Sequence, residues 1–322
     1  MNIYYKDKNV KLIHGECLEV MDKMIKDNLK VDAIITDPPY GTIKNAELDG
    51  WKNQTTSWDN IIDTDKMFLH SSKLLRENGM LILFSQEPYT SKLRTSYKYN
   101  INFCYPCIWL KDHFANALIA KKAPVNYFED ISMFVKKYDD DLIHPLREYS
   151  KKIMNKINLS LAQINKKLGH SKAEHFFRWK TSQFKLPTKE TYKELINVFE
   201  INKLDFFISF EELQEINKRF NKRFNKRFNL YGKNKKSNVF TYKKEYKRFH
   251  PTQKPVKLME DLIKTYTNEN ELILDFACGS SSTLIAAQNT NRKCIGIEKE
   301  EKYCELSKKR LEENLNYIKS ST

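Results

Sequence analysis

Short apolar runs alternate along the chain with stretches in which apolar residues recur every three or four positions. The continuous runs have the length of strands that are buried on both faces. They lie at 11–13, 31–35, 80–84, 103–110, 131–135, 272–275 and 294–298. The periodic stretches between them predict amphipathic helices. This alternation predicts an α/β fold with a doubly wound, mostly parallel sheet.

The alternation stops at Asp139 and resumes at His250. Between these residues the pattern predicts three helices: one that ends at Gly169, one that a capping box at 171–174 opens, and one that starts near Thr188. A helix, a glycine turn and a second basic helix are typical of a helix-turn-helix, although an ordinary helical subdomain would show the same apolar stripe. We therefore expect residues 1–138, an inserted, mainly helical basic subdomain at 139–249, and residues 250–322.

A short repeat follows the predicted helices, because Asn-Lys-Arg-Phe occurs three times in succession at 217–228. As one α-helix, it would place Phe220, Phe224 and Phe228 in a stripe beside lysines and arginines. Such a face would track a DNA backbone. A slippage duplication without structural consequence explains the repeat equally well.

The basic residues of the chain are unevenly distributed. The formal net charge is +15; residues 141–250 contain 26 lysines and arginines against 11 acidic residues, whereas the remainder contains 30 of each. A basic excess in one internal segment predicts a polyanionic partner, since phosphate neutralisation supplies non-specific affinity. A lysine-rich solvated surface is the alternative, but a general bias toward lysine would act along the whole chain.

The apolar run 31–35 ends abruptly in Asp37, Pro38, Pro39 and Tyr40. Prolines cannot extend a strand ladder and they fix φ, so a carboxylate and an aromatic ring are held at the carboxyl end of a strand. Ligands bind at that edge in open α/β sheets. On these four residues alone, a tight turn that closes the strand is the alternative.

Residues 272–298 consist of a strand that ends in Asp275, a turn of small residues, a helix, and a strand that ends in Glu298. Nucleotide-binding βαβ units have this order, because small residues let the backbone approach the ligand and the second acid accepts ribose hydroxyls. No lysine follows Gly279 as it would in a phosphate-binding loop. A βαβ unit without a ligand is the alternative.

Four motifs together resemble the permuted β class of amino-DNA methyltransferases. They are Asp-Pro-Pro-Tyr at 37–40, His-Pro-Thr-Gln-Lys-Pro at 250–255, Asp-Phe-Ala-Cys-Gly-Ser at 275–280 and Asn-Arg-Lys-Cys-Ile-Gly-Ile-Glu at 291–298. In that class the catalytic motif precedes the cofactor motif, and a target-recognition region lies between them, where this chain has its basic segment. The similarity covers residues 1–138 and 250–317. It implies S-adenosyl-L-methionine as cofactor, and Asp-Pro-Pro-Tyr rather than Ser-Pro-Pro-Tyr implies adenine N6 as the methyl acceptor.

The resemblance also implies the site residues. The catalytic set is Asp37, Pro38, Pro39 and Tyr40. The cofactor-binding set is Asp275, Phe276, Ala277, Cys278, Gly279, Ser280, Glu298, Thr252, Lys254 and Glu16. From their positions near the ends of elements or in the predicted second helix, we expect DNA contacts from Lys111, Lys121, Lys122, Lys172 and Arg178. For Lys111, Lys121 and Lys122, simple solvation is the alternative.

Two positions depart from the pattern of that class. It usually has Gly-Ser-Gly where this chain has Gly279-Ser280-Ser281, and a serine there is costly if its φ is positive. Its early Gly-Asp is Gly15-Glu16 here, which weakens the expectation that Glu16 contacts the cofactor adenine.

The residue types of the catalytic set suit the expected chemistry. The adenine amino group is a poor nucleophile because its lone pair is delocalised into the ring. Asp37 and the carbonyl of Pro38 would each accept one N–H and favour a pyramidal nitrogen, while Tyr40 would stack on a flipped-out base. The reaction requires no metal and no nucleophilic cysteine. Cys104 and Cys107 have CxxC spacing but lack the second pair that a zinc site requires.

The sequence therefore predicts a site-specific adenine-N6 methyltransferase that acts on double-stranded DNA. A cytosine-N4 methyltransferase and a catalytically silent DNA-binding protein stand as alternatives, and RNA is an alternative substrate. The N-terminus has no apolar signal region and no run approaches a membrane span, so we expect a cytoplasmic protein. A homodimer and a cognate restriction endonuclease are open as further partners.

Overall fold

The computed structural model describes residues 2–41, 59–115, 120–137, 144–181, 183–224, 228–231, 234–245 and 253–320. The chain forms two compact units. The first combines Met1–Lys137 with Lys226–Thr322, and the second is Tyr138–Asn225. The insert expected at 139–249 is thus longer than the second unit, because residues 226–249 belong to the first.

Within the described ranges, the first unit contains one sheet of nine strands. They are β1 (Asn2–Lys6), β2 (Val10–His14), β3 (Val31–Thr36), β4 (Leu75–Ser85), β5 (Ile101–Ala115), β6 (Asn126–Lys136), β7 (Val239–Thr241), β8 (Leu272–Asp275) and β9 (Lys293–Glu298). Their order across the sheet is β1-β2-β9-β8-β3-β4-β6-β5-β7. The strands from β2 to β4 in this order are parallel to one another, and β6 runs antiparallel to both of its neighbours.

The α-helices of the described residues are distributed over both units. They are α1 (Cys17–Lys26), α2 (Thr64–Leu74), α3 (Tyr89–Thr95), α4 (Pro145–Ile157), α5 (Leu161–Leu168), α6 (Glu174–Phe177), α7 (Lys189–Phe199), α8 (Phe210–Phe224), α9 (Val256–Tyr266), α10 (Ser282–Asn289) and α11 (Glu301–Ser320). In the part of the chain that is described, no helix is long and apolar enough to cross a membrane.

Helices cover both faces of the sheet, and the strand β4 shows how the two apolar layers arise. Leu81 and Leu83 belong to the layer that contains residues of α1, α2 and α3. Ile82 and Phe84 belong to the opposite layer, with residues of α9 and α10. Because side chains alternate along a strand, a continuous apolar run is required to fill both layers. This arrangement confirms the predicted doubly wound, mostly parallel α/β fold.

The parallel strands end at one common edge of the sheet. Consequently the residues that follow β2, β3, β8 and β9 meet there although they are far apart in sequence; they are Gly15, Asp37, Phe276 and Lys299. This carboxyl edge is where open α/β sheets bind ligands.

The second unit is helical and has its own apolar core. Ile153, Ile164, Tyr192 and Leu195 lie in that core and are fully buried. The structure confirms the predicted helix end at Gly169, which adopts a left-handed φ of 75°.

The second helix of the expected helix-turn-helix is much shorter than the pattern predicts. α6 has four residues, and its N-cap Ala173 makes no side-chain cap hydrogen bond. The predicted capping box at 171–174 is therefore wrong; a capping box instead joins Ser160 and Gln163 at the start of α5. A single helical turn lacks the length of a recognition helix. The ordinary helical subdomain fits this unit better.

The Asn-Lys-Arg-Phe repeat does not form one helix with a single aromatic stripe. α8 ends at Phe224, and residues 225–227 lie outside the described residues. Phe220 lies against His144 in the second unit, with ring centroids 4.1 Å apart. Phe228 instead packs edge-on against Tyr266 of α9 in the first unit, with centroids 5.9 Å apart. The expectation for Phe228 is therefore wrong.

Candidate active site

A cavity of about 330 Å³ opens at the carboxyl edge of the sheet in the first unit. It brings the predicted catalytic and cofactor-binding residues together. Those that line it are Asp37, Pro39, Asp275, Phe276, Ala277, Cys278, Gly279, Ser280, Glu298, Lys254 and Glu16. Pro38 is buried beside it, and Thr252 lies outside the described residues.

The carboxylate of Asp37, directly after β3, accepts two hydrogen bonds. The hydroxyl of Tyr40 donates to Oδ1, and the ammonium of Lys254 donates to Oδ2. The two prolines between Asp37 and Tyr40 hold the backbone in a turn, which brings the hydroxyl back to the carboxylate. The ring of Tyr40 also lies 6.1 Å from that of Tyr89, centroid to centroid.

Lys254 belongs to a buried row of charges that starts at Asp37. Lys254 Nζ lies 3.0 Å from Glu129 Oε2, and Glu129 Oε1 lies 2.6 Å from Lys111 Nζ. Both lysines are 5% exposed. A buried charge without a partner costs several kcal/mol (about 3–5), so the alternation of sign along the row is what makes its burial tolerable.

Burial and neighbouring charges oppose one another in this row. Burial raises the pKa of Asp37, and Lys254 counteracts that rise. Although burial alone would raise the pKa of Glu129, Lys254 and Lys111 hold it below its ordinary value. Although burial alone would lower the pKa of Lys254, the carboxylates of Asp37 and Glu129 raise it. Lys254 is therefore a cation at neutral pH and stands beside Asp37 as a fixed positive charge.

The position of Lys111 differs from the expectation that it meets a DNA phosphate. Its ammonium pairs with Glu129 and lies 5.2 Å from the centroid of the Trp109 ring. Residues 109 and 111 face the same side of β5 because side chains alternate along a strand, and that side is covered. In this structure Lys111 is thus turned toward a buried partner, and its contact with a DNA phosphate stays a prediction.

The other cations proposed to contact DNA lie nearer the surface. Lys121 and Lys122 are exposed in the turn that precedes β6, and Lys172 is exposed before α6. Arg178 is half-buried and pairs with Glu174. Their contacts with DNA stay predictions.

The turn after β8 has the hydrogen bonding of a ligand-binding turn. Gly279 adopts a left-handed φ of 50°, and its N–H donates to Glu298 Oε2 at 2.8 Å. Glu298 Oε1 accepts the N–H of Glu300 at 2.8 Å. Asp275 accepts the hydroxyl of Thr283 and, at 3.3 Å, the N–H of Ala277. Each carboxylate oxygen keeps a further acceptor position, so Glu298 can also accept ribose hydroxyls.

Both acids of this turn have elevated pKa values because they are buried. Burial raises the pKa of Glu298 to about 7, although the N–H groups of Glu300 and Gly279 lower it in part. Burial likewise raises the pKa of Asp275 to about 6, against the hydrogen bond from Thr283. Glu298 therefore changes charge near neutral pH.

Ser281 occupies the position at which the resembling class usually has glycine, and its backbone is left-handed. It is the N-cap of α10 with φ 64° and ψ 32°, and it is fully buried. A side chain with a Cβ costs about 1–2 kcal/mol in this region of φ and ψ. The turn therefore keeps the glycine conformation although the residue is serine.

Side chains from outside the turn hold its carbonyl groups. Ser307 of α11 donates to the carbonyl of Gly279 at 2.8 Å, and Arg310 donates to the carbonyl of Ser280. Glu245 connects this contact to the chain before α9: it lies 3.7 Å from Arg310 and accepts the N–H of Val256 at 2.7 Å. The turn is thus fixed by the terminal helix.

Glu16 has a structural role in addition to its place in the cavity lining. It is the N-cap of α1, and its Oε2 accepts the N–H of Glu19 at 3.0 Å. The thiol of Cys17 donates to its Oε1 at 3.2 Å. Its contact with a cofactor adenine stays a prediction.

Sequence reasoning missed Glu129, Glu245 and Arg310. Glu129 stands just before the apolar run of β6, and a charged residue at the entry of a strand is ordinarily solvated. The strand pairing explains its position: β6 runs antiparallel to β4, so its first residues lie at the same edge as the carboxyl end of β4. Glu245 and Arg310 had no local signal, since a basic segment and an amphipathic helix surround them.

Comparison with known proteins places the chain in a sequence family. The model of a family described as DNA methylase (N6_N4_Mtase) matches residues 31–309. Among curated proteins, the chain is similar to the type II methyltransferase M2.LlaDCHI of Lactococcus lactis subsp. cremoris, with 44% identity over 68 residues. That match covers 21% of this chain and spans only 25% of the length of the relative.

Two solved structures share the fold over nearly the whole chain. The structure of an M1.HpyAVI–SAM complex superposes with a TM-score of 0.55 at 22% identity and covers 94% of this chain and 100% of that one. The PvuII DNA methyltransferase, described as cytosine-N4-specific, superposes with a TM-score of 0.51 at 13% identity and covers 98% and 95%. At these identities the likeness establishes the fold.

Proposed function

Because this chain belongs to the DNA methylase family, we propose that it transfers a methyl group from S-adenosyl-L-methionine to N6 of adenine in DNA. One observation supports the proposal most: Asp37 lines the same cavity as the turn 275–280 and Glu298. A carboxylate that can accept the protons of an amino group is thereby placed beside a nucleotide-binding turn.

The lining of the cavity fits S-adenosyl-L-methionine, the cofactor of this family. Glu298 offers acceptor positions for ribose hydroxyls, and the left-handed Gly279 lets the backbone approach a ligand closely. Phe276 and Ile297 supply apolar surface for a base. When bound, the cofactor supplies a methyl group on a sulfonium, which is already an activated leaving group.

The catalytic residues act on the amino group of the target base. Asp37 and the carbonyl of Pro38 each accept one N–H, which concentrates the lone pair of the nitrogen on the side that faces the methyl group. Burial raises the pKa of Asp37, so this carboxylate is also suited to receive the proton that the methylated nitrogen must lose. In-line positioning supplies most of the remaining rate.

Tyr40 and Lys254 control the access to Asp37. The Tyr40 hydroxyl donates to Asp37 Oδ1 in this structure, and entry of a base would exchange that contact for an N–H of the substrate. The Tyr40 ring can then stack on the flipped-out base. Lys254 stays between Asp37 and Glu129 and keeps the second oxygen in place.

Cytosine N4 is the second candidate acceptor, because its amino group presents the same two N–H donors and because the cytosine-N4-specific PvuII enzyme has a similar fold. We propose adenine on the sequence Asp-Pro-Pro-Tyr. Incubation with labelled cofactor and unmethylated DNA of mixed sequence, followed by nucleoside chromatography, should yield N6-methyladenine. If the label appeared in N4-methylcytosine, the assignment of adenine as acceptor would be wrong and the assignment as a DNA methyltransferase would stand.

A catalytically silent DNA-binding protein is the rival from another class, and Ser281 is its specific support. Calorimetry with S-adenosyl-L-methionine alone separates the two. We expect binding, because the turn keeps its geometry. Absence of binding at millimolar cofactor, with DNA binding retained, would favour the rival.

The helical second unit occupies the place of a target-recognition region, and we propose that function for it. Double-stranded DNA is the proposed substrate. Similarity to a type II methyltransferase makes a cognate restriction endonuclease a proposed companion as well. Long-read sequencing of DNA from a host that expresses the protein would report the modified base together with its recognition sequence.

A further inference from the structure

We infer that an aromatic cluster at the outer end of the β5–β6 hairpin is a stacking platform for unpaired DNA bases beside the catalytic carboxylate. The cluster consists of His113, Phe114 and Tyr127. The inference rests on the proposed function and deepens it, since it assigns a DNA contact next to the same site.

The hairpin projects beyond its neighbouring strand at the carboxyl edge. β4 pairs with β6 only as far as Ser85, whose partner is Asp130. β5 and β6 continue to pair past that point, from Leu110 opposite Phe128 to Ala115 opposite Asn126. The end of the hairpin therefore stands at the edge where the cavity opens.

Glu129 relates this projecting segment to the catalytic residue. Its carboxylate lies 3.0 Å from Lys254 Nζ, and Lys254 pairs with Asp37. Tyr127 precedes Glu129 by two residues, so both stand on the same face of β6, about 6.6 Å apart along the strand. Tyr127 is thus at the rim of the catalytic centre.

The ring of Phe114 contacts both other rings, and the side chains of His113 and Tyr127 are exposed. The ring centroids of Phe114 and Tyr127 lie 6.1 Å apart, and those of His113 and Phe114 lie 4.4 Å apart at an interplanar angle of 24°. Tyr127 is 46% exposed. Exposed aromatic rings in contact mark a binding surface rather than part of a core.

The charges around the cluster favour nucleic acid as its occupant. Lys121 and Lys122 are exposed in the turn that leads into β6, and Lys243 is exposed just after β7, the strand beside β5. Lys244 donates to the carbonyl of Phe114 at 3.1 Å and joins that segment to the cluster. Aromatic faces between cations suit a polyanion that also offers flat apolar rings, and every base has such a face.

A methyltransferase that takes its target out of the duplex leaves the neighbouring bases without a stacking partner. On this proposal the exposed ring of Tyr127 supplies that partner. Stacking of this kind tolerates any sequence, so the platform would act at every recognition site.

The test measures binding of the full-length protein to two fluorescent duplexes of the same mixed sequence, one fully paired and one with a short central bubble of unpaired bases. Tyr127→Ala should weaken binding to the bubble duplex about tenfold, and should weaken binding to the paired duplex much less. Tyr127→Phe should bind both like the wild type, because the ring is kept.

Tyr97→Ala is the matched control, since Tyr97 is 41% exposed and packs near Phe134 at the other end of β6. Three outcomes would each overturn the platform. Tyr127→Ala could weaken binding to both duplexes equally, Tyr127→Phe could weaken binding as much as Tyr127→Ala does, or Tyr97→Ala could have the same effect as Tyr127→Ala. Methyl transfer is measured separately. If the protein transferred no methyl group yet bound the bubble duplex through Tyr127, the proposed function would fail and the stacking platform would stand.

Discussion

The ammonium of Lys254 forms an ion pair with Glu129 at 3.0 Å while it also donates to Asp37. One cation is thus shared by the half-buried carboxylate of Asp37 and the buried carboxylate of Glu129, and only Asp37 is part of the predicted catalytic motif. We therefore propose that Glu129 acts on catalysis through Lys254, as a positioning residue.

Glu129→Gln should lower turnover about tenfold and shift the acid limb of the pH–rate profile to lower pH. Burial raises the pKa of Asp37, and the negative charge of Glu129 raises it further. Without that charge, Lys254 pairs with Asp37 alone, and the carboxylate becomes a weaker proton acceptor. Steady-state methyl transfer as a function of pH measures both effects.

Asp130→Asn is the control for that experiment. Asp130 is the next residue of β6, and it pairs with Arg94 at 2.9 Å instead of with the row of charges. Its loss should lower thermal stability and leave the pH–rate profile in place. If the pH–rate profile of Glu129→Gln matched that of the wild type, Glu129 would have a structural role only.

Asp37→Ala should abolish methyl transfer and leave the affinity for DNA nearly unchanged, because the lost contacts belong mainly to the transition state. Asp32→Asn is the matched control. Asp32 lies in β3, the strand that leads to Asp37; its carboxylate pairs with Arg76 at 2.8 Å and does not line the cavity. Near-wild-type turnover of Asp37→Ala would contradict the catalytic assignment.

Ser281→Gly should raise the free energy of unfolding by about 0.5–1 kcal/mol. Glycine relieves the left-handed strain, and part of that gain is offset by its greater freedom in the unfolded chain. Ser281→Ala keeps the strain and should bring no such gain. Urea unfolding of the three proteins gives the comparison; equal stability of the glycine and alanine variants would show that no strain is present.

Glu298 should make stability depend on pH in the acidic range. Its pKa is about 7 in the folded protein against an ordinary value of 4.5, so the folded state holds the proton more tightly. The contribution of Glu298 to the free energy of unfolding is therefore largest below pH 4.5 and falls as the pH rises through 7, by at most about 3.4 kcal/mol. The difference between wild type and Glu298→Gln in urea unfolding isolates this contribution, and a flat difference curve would contradict it.

The same ionisation should strengthen cofactor binding as the pH rises through about 7, because the carboxylate accepts ribose hydroxyls better than the acid does. The measurement is calorimetry with 5′-methylthioadenosine. This ligand lacks the amino-acid part of the cofactor, whose own ionisation would complicate the pH dependence. Glu298→Gln should bind weakly at every pH. If the affinity of the wild type for 5′-methylthioadenosine did not change with pH, Glu298 would not bind the ribose hydroxyls.

Replacing the six lysines and arginines of 217–228 by glutamine tests the basic repeat without removing the residues that pack α8. If about three of them meet phosphates, the slope of log affinity against log salt should fall by roughly 3, at about 0.9 per contact. The loss should be equal for cognate and random DNA, since phosphate contacts do not read bases. An unchanged slope would make the repeat a passive expansion.

The local sequence alone determined the elements that carry the site. Continuous apolar runs identified the parallel strands. The residues at or just after the ends of these strands line one cavity as expected; they are Asp37, the turn 275–280 and Glu298. This succeeded because buried parallel strands require apolar residues on both faces and because their carboxyl ends must meet at one edge. Both are properties of a strand and its immediate neighbours in sequence.

Only the tertiary structure decided which charges meet. Asp37 and Lys254 are 217 positions apart, and Lys111 pairs with Glu129 because β5 and β6 form a hairpin whose covered face holds both. The left-handed backbone of Ser281 likewise follows from how the turn packs beneath α11, since no serine prefers that conformation by itself. Side-chain partners depend on strand order and layer packing, and those arise from contacts over the whole chain rather than from any local pattern.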